Sequence, residues 1–381
     1  MEKNKKLNNA FKNPLEGSVY EERIQPRTED VRGPYFRDQT AIVHSMPYRR
    51  LKHKAQVFFS PNNDHVCTRI EHSLHVATIA QTIARGLKLN EEMAYAIGLA
   101  HDLGHAPFGH AGESVLKSKC ESIGGFIHEI HGLRVVDILG NRGRSLNLTY
   151  GVRDGIVCHC GESPDKMIKP SHTKNNLEKI YKRDTFPCSY EGCIARMGDR
   201  IAYLGRDLED SIYGGFIKRS DVPNEIEREL GETNGEIIDT LVIDVITESA
   251  SCGEIAFSDE KFSVLKKLYE FSEGRIYNHE AILKYKAFCK HIIEQLFDYL
   301  VDRFSKWGFA YDHYKISRVP LDRRFGRYLG YMEKTYQTEK ASALVIVRDY
   351  VAGMTDSYAL RCMSEISLPD ELSFDIDCRP T

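Results

Sequence analysis

A chain of 381 residues with 41% hydrophobic and 28% charged residues is long enough for one large folded domain or two ordinary ones. Its formal net charge of −3 gives no overall pull toward nucleic acid. No run approaches the roughly 18 apolar residues of a membrane helix, and the opening MEKNKKLNNAFKNP lacks the apolar centre of a secretion signal. A cytoplasmic protein is therefore expected, with its ten scattered cysteines as free thiols.

Residues 1–30 are polar, mixed in charge and without an apolar period, and read as a flexible arm. Residues 32–58 interleave Arg37, Arg49, Arg50, Lys52 and Lys54 with Tyr35, Phe36, Tyr48 and Leu51. One reading is an amphipathic helix followed by a solvated basic turn. The other is a phosphate-facing rim, since guanidinium groups bind phosphate bidentately.

Ile70, Leu74, Ala77, Ala84 and Leu87, widened by Ile79 and Ile83, predict a helix over 66–88 that carries Arg69, His72 and His75. A second helix is predicted over 91–103. Glu91 and Glu92 in its first turn suit the positive dipole end, and Gly104 and Pro107 should stop it. Its last turn opens the stretch AHDLGHAPFGHAGE, residues 100–113, which crowds His101, Asp102, His105 and His110 ahead of Glu113. A structural helix has little use for that combination, which instead suits the centre of a metal-dependent phosphohydrolase site.

Further on lie His128, Glu129 and His131, then Cys158 and Cys160, with Cys188 and Cys193 beyond. The C-x-C…C-x4-C spacing is not a strong zinc pattern and reads as buried thiols. Residues 161–187 read as a long surface loop. The helix predicted over 192–213 repeats Ile194, Met197, Ile201, Leu204, Leu208 and Ile212, and sets Asp199, Tyr203 and Asp207 four apart on another face. Helices are expected at 235–249, 258–273, 279–306, 322–337 and 339–365, and strands at 255–257 and 315–319, before a short acidic tail. The fold class is mainly α.

His72, the His101–Asp102 pair and Asp199 are metal-type donors on separate helices. Two imidazoles and two carboxylates suit a divalent ion such as Mn, Fe, Co or Zn, with Mg also admitted. His105, His110, Glu113 and His128 are then available as general acid, base and orienting groups.

TRIEHSLHVA followed by HDLGHAPFGHAGE resembles the HD-domain phosphohydrolases. The leading YFRD…IVHSMPYRRLKHKAQVF, the DRIAYLGRDLED block and DYVAGMTD near 349–356 are similar to one branch, the deoxyguanosine triphosphate triphosphohydrolase-like proteins. The resemblance implies an HD-domain helical core over 31–215 with a helical C-terminal region over 216–381. It implies one metal on His72, His101, Asp102 and Asp199, a catalytic pair of His110 and Glu113, and further active-site histidines His105 and His128. Gln56 and Asp207 match deoxyribose contacts, Tyr203 the residue that packs on the sugar and excludes a 2′-hydroxyl, and Arg69 and Arg200 phosphate contacts.

The implied reaction is water attack at the α-phosphorus of a deoxynucleoside triphosphate (dNTP), dGTP-like, releasing deoxynucleoside and triphosphate. A homo-oligomer is expected, and a dNTP effector is admitted. The alternatives are another HD-type nucleotidase or phosphodiesterase, or a non-catalytic nucleotide sensor or nucleic-acid-binding protein. The chain departs from the branch at Arg37–Ile42, at GGFIHEIHG around His128 and at CHCGE, residues 158–162.

Overall fold

The computed structural model describes residues 11–28, 30–58, 65–160 and 165–367. In chain order the helices are α1 (Gly17–Glu21), α2 (Gly33–Val43), α3 (Met46–Arg50), α4 (Arg69–Leu87), α5 (Glu91–Ala100), α6 (His110–Lys119), α7 (His128–Arg134) and α8 (Tyr150–Val157). They continue with α9 (Tyr190–Tyr213), α10 (Asn224–Leu230), α11 (Asn234–Cys252), α12 (Asp259–Ser272) and α13 (Glu280–Trp307). The last four are α14 (Tyr311–Ile316), α15 (Pro320–Glu339), α16 (Ala343–Ala352) and α17 (Asp356–Ser367). The one sheet among the described residues pairs β1 (Met167–Ile168) antiparallel with β2 (Ile255–Ala256). The mainly α expectation holds. No helix among the described residues is long and apolar enough to cross a membrane.

The helices that position the site start on local signals. Thr68 and Glu71 form a capping box at α4, the Asn90 side chain accepts from Met93 N at α5, and Ser189 accepts from Gly192 N at α9. These three helices pack together. Small buried residues at their contacts (Ala77, Ala80 and Ala84 on α4, Ala94 and Ala100 on α5, Ala202 on α9) let their axes approach closely. Ile79, Ile83, Met197 and Ile201 fill the space behind them, each contributing about 1.5–3 kcal/mol by burial. On the other side, Val115 and Leu116 of α6, with Cys120 just after it, pack into a second core with Ile292, Leu296 and Leu300 of α13 and residues of α15–α17. The C-terminal helices thus hold α6, and with it Glu113, against the first layer.

Asp356, at the start of α17, is the main tie between the two parts. It is fully buried, and its carboxylate accepts the N–H of Ala55 at 2.8 Å and of Phe108 at 2.8 Å. Phe108 has a left-handed φ of 61°, a conformation that persists only when its surroundings over-determine it. Lys54, also buried, donates from Nζ to the carbonyls of His105 and Ala352. Replacing Asp356 by Ala strands two buried N–H groups and releases the strained turn. We expect Asp356→Ala to cost about 2–5 kcal/mol in urea unfolding; a loss below about 1 kcal/mol would show that the tie is dispensable.

Several expectations are corrected. The arm is anchored within residues 11–28: Tyr20 is buried and donates to the Cys188 carbonyl at 2.7 Å, and Arg23 pairs with buried Asp38 at 2.6 Å. A polar stretch can be ordered by partners distant in sequence, which periodicity does not reveal. Residues 1–10 and most of the acidic tail lie outside the described residues. On α4 the predicted Ala77, Ile79, Ile83, Ala84 and Leu87 are buried; Leu74 is exposed instead, and Val76 and Ala80 are buried beside the stripe.

The 339–365 helix is two, broken at Gly353–Thr355, where the turn brings Asp356 inward. Residues 315–319 form no strand: Lys315 and Ile316 end α14, and no second strand lies beside them among the described residues. The long loop is not merely surface. Of its described part, Met167–Ile168 is a strand, Leu177–Lys179 a helical turn, and Ile168 and Leu177 are buried; residues 161–164 lie outside the described residues.

Candidate active site

The predicted helix over 91–103 ends its α-helical hydrogen bonding at Ala100, and His101–Gly104 form a tighter 3-10 turn. Only glycine fits at 104: a Cβ there would lie 2.0 Å from the His128 carbonyl oxygen and 2.2 Å from Gly132 N. This close approach of α7 sets the His128 ring on the His105 ring, stacked at 3.7 Å between centroids. His101 places Nδ1 2.7 Å from the Gly98 carbonyl, an N–H donor position, which leaves Nε2 as a bare lone pair.

His101 Nε2 is buried and has no hydrogen-bond partner. It lies 3.5 Å from Asp102 Oδ1 and 3.8 Å from Asp199 Oδ1. Asp199 Oδ1 is also 2.9 Å from His72 Nε2, which is 4.0 Å from Asp102 Oδ2. The four predicted ligands therefore converge on one spot. The donor atoms of His72, His101 and Asp199 lie within 4.8 Å of one another, while Asp102 joins an overlapping set with His101 and His159. An orphaned imidazole lone pair facing carboxylates is the donor set a divalent cation needs, and the residues fit one. Arg69, buried and 2.6 Å from Asp102 Oδ2, occupies the other oxygen of that carboxylate. Burial would raise the Asp102 pKa, but His101, His105 and Arg69 hold it well below the usual range.

Beside this spot, Glu113 collects charge-assisted bonds. Oε2 is 3.1 Å from His128 Nδ1 and 3.3 Å from His110 Nδ1, and Oε1 accepts from Arg183 Nη2 at 2.8 Å. Burial opposes ionisation of Glu113, but His128 and His110 outweigh it and hold the carboxyl far below its ordinary range. Burial likewise opposes charge on His128, and the carboxylates of Glu129 and Glu113 overcome it, raising the imidazole. His105 is the opposite case: burial, Arg69 and His128 keep it neutral, with Nε2 3.2 Å from Asp102 Oδ1 and Nδ1 unpartnered. His110 is the exposed member of the group.

These residues face a cavity of about 590 Å³. Its lining includes His72, Asp102, Asp199, His105, His110 and His128, and also Gln56, Arg69, Arg200, Tyr203 and Asp207. The structure thus brings together every predicted site residue, with His101 and Glu113 just behind the wall. Arg200 lies 3.4 Å from Asp165 Oδ2, so its guanidinium already meets a carboxylate. The basic residues of 32–58 do not line the cavity: Arg37 pairs with Asp30, Arg50 donates to the Gly353 carbonyl, and Lys54 is buried among carbonyls. Of the two readings of this stretch, a phosphate-facing rim is not formed at this cavity.

Asp207 is buried, and its Oδ2 accepts from Tyr277 Oη at 2.7 Å. Burial pushes its carboxyl up to about 7, only partly offset by Tyr277. Because the folded value exceeds the unfolded one, ionisation of Asp207 costs stability as pH rises from about 4 through about 7. Asp207→Asn removes that loss. The variant should match the parent near pH 4 and be more stable by a few kcal/mol near pH 8 in urea unfolding; a variant less stable near pH 8 would contradict the burial assignment.

Sequence reasoning missed Arg183, Arg196, His159 and Tyr277, which also line the cavity. Arg183 comes from the predicted surface loop and also reaches Glu129 at 2.6 Å. A basic residue in a polar loop carried no signal of its own; the CHCGE departure was the available hint for His159. Cys158, Cys188 and Cys193 are buried free thiols, and no metal-type group among the described residues joins two or more of the four cysteines; Cys160 falls in one with His128 and His159.

Residues 69–204 match the family described as HD domain. The chain is 38% identical over 359 residues to a deoxyguanosinetriphosphate triphosphohydrolase-like protein of Caldanaerobacter subterraneus subsp. tengcongensis, covering 93% of this chain and 92% of that one. A protein of the same description from Desulfatibacillum aliphaticivorans is 36% identical over 89% of each chain. Another, from Clostridium tetani, is 33% identical over 91% of this chain and 89% of its own.

Proposed function

As the chain belongs to the HD-domain phosphohydrolases, among the deoxyguanosinetriphosphate triphosphohydrolase-like proteins, we propose that it hydrolyses a dNTP, dGTP-like, to deoxynucleoside and triphosphate. The observation that carries this reading is a single cavity with metal-type donors (His72, Asp102, Asp199) and a Tyr203–Asp207–Tyr277 wall. Four guanidinium groups, Arg69, Arg183, Arg196 and Arg200, line the same space and suit a polyphosphate.

His72, His101, Asp102 and Asp199 would hold one divalent ion, which when bound supplies Lewis-acid polarisation and a lowered water pKa. Arg69 screens Asp102 and presents positive charge to the phosphate oxygens. Tyr203, in the cavity wall, would pack against the sugar and exclude a 2′-hydroxyl. Asp207, its carboxyl pushed up to about 7 by burial, can give or accept a hydrogen bond at the sugar. Glu113 accepts from His110 Nδ1 and so orients the ring, whose Nε2 gives a proton to the leaving 5′-oxygen when the imidazole is in its protonated form. Glu129 and Glu113 raise the His128 imidazole, and His128 and His110 in turn hold the Glu113 carboxyl down.

Arg183→Ala should lower turnover by about 10-fold or more while metal content stays constant, because Glu113 and Glu129 lose their common cation. Unchanged turnover would make Arg183 a surface residue only.

The reading is tested by incubating the protein with each dNTP and NTP plus Mn²⁺ and resolving the phosphorus-containing products. Triphosphate from a dNTP, with NTPs turned over poorly, is expected. Release of pyrophosphate with monophosphate, or of orthophosphate, would replace it with another HD-type phosphohydrolase activity.

A further inference from the structure

We propose a second cation site, of the zinc type, formed by His128 Nε2, His159 Nε2 and Cys160 Sγ beside the His72–His101–Asp102–Asp199 set. The three donor atoms lie within 4.8 Å of one another, and Sγ is 3.9 Å from His128 Nε2. One cation with Zn–S near 2.3 Å and Zn–N near 2.0 Å spans such gaps after small side-chain adjustments.

Both histidines are prepared as metal ligands are. A ligating imidazole almost always gives its other N–H to a carbonyl or carboxylate, which fixes the tautomer and raises basicity. His159 Nδ1 lies 2.7 Å from the Ile156 carbonyl, and its Nε2 is buried without a partner. His128 Nδ1 lies 3.1 Å from Glu113 Oε2, leaving Nε2 toward Cys160. His159 at the end of α8 repeats the device of His101 at the end of α5, where Nδ1 meets the carbonyl three residues earlier. The two rings stand 5.0 Å apart, so the two sites are neighbours.

The chemistry of the sets differs. His72, His101, Asp102 and Asp199 offer nitrogen and oxygen, whereas Cys160 brings a thiolate, which favours Zn²⁺ over Mg²⁺ or Mn²⁺. Loading exchanges the Cys160 thiol proton, and the Nε2 proton of His128 when that ring is charged, for the cation; the protons pass to solvent. The site does not depend on which nucleotide the cavity takes.

The test loads metal-free full-length protein with Co²⁺. Two Co²⁺ per chain and a thiolate-to-cobalt charge-transfer absorption in the near ultraviolet are expected. Cys160→Ser should abolish the band and leave one Co²⁺. Asp199→Ala should keep the band and lose the other ion. One Co²⁺ per chain without the band in the unaltered protein overturns the proposal, and does so whether or not the variants fold. A band that survives Cys160→Ser, or that vanishes with Asp199→Ala, overturns it as well.

Discussion

Asp102→Ala should leave a protein that neither retains the metal of the His72–His101–Asp199 set nor turns over nucleotide. Asp102 is one of four convergent donors, and its second oxygen is committed to Arg69 at 2.6 Å. Removing it withdraws a ligand and leaves the Arg69 guanidinium buried without its carboxylate. The first effect takes away a metal contribution of several kcal/mol at the transition state, about 10³-fold in kcat/KM. The second costs stability, about 3–5 kcal/mol for one partner of a buried pair. Metal content by elemental analysis, unfolding in urea and turnover should fall together. Retention of full activity by a metal-free Asp102→Ala protein would remove the site assignment. The double change Arg69→Met, Asp102→Ala separates the two effects: it should recover part of the stability, since no unpaired charge is left behind, but none of the activity.

Glu113→Gln should keep the metal and lose about 10²–10⁴-fold in turnover, the usual contribution of a positioned proton-transfer group. The substitution preserves shape, but the amide cannot serve as the common anion for His110, His128 and Arg183. It also changes the pH profile in a defined direction. In the parent, the Glu129 and Glu113 carboxylates raise the His128 imidazole against burial, so its charge persists above the ordinary histidine range. That charge contributes stability fully present below about 6.5, lost as pH rises through the raised folded value. Glu113 has a depressed folded value, so its contribution is present above about 4.5 and lost as pH falls toward that value. Without Glu113, His128 loses its proton at lower pH, and an alkaline limb of kcat/KM set by His128 should move to lower pH. An unshifted limb with normal turnover would take Glu113 out of the mechanism.

The candidate site was legible in part because several of its donors sit on helices, whereas Gln56, Arg69 and Arg200 entered only through the family resemblance. Asp199, Tyr203 and Asp207 are four apart on α9 and therefore share a face, and all three line the cavity. The His101–Asp102 doublet could be placed at a helix end because Gly104 and Pro107 follow it. The fold class was legible for the same reason, since long apolar stripes at helical spacing recur through the chain. Boundaries fared worse where tertiary packing overrides local signals. The break at Gly353–Thr355 exists to turn Asp356 into the core, and no local residue announces that contact.

By itself, then, the sequence determined the helical class, the donor types and the helix faces that carry them, because these depend on residues within one or two turns of each other. Only the tertiary structure decided which separate pieces complete the site. Arg183 enters from a loop that has no period, His159 and Cys160 arrive at the end of α8, and Asp356 clamps Ala55 and Phe108 from the start of α17. Such contacts depend on close backbone approach, as at Gly104 against α7, and on burial of charges whose partners lie far away along the chain.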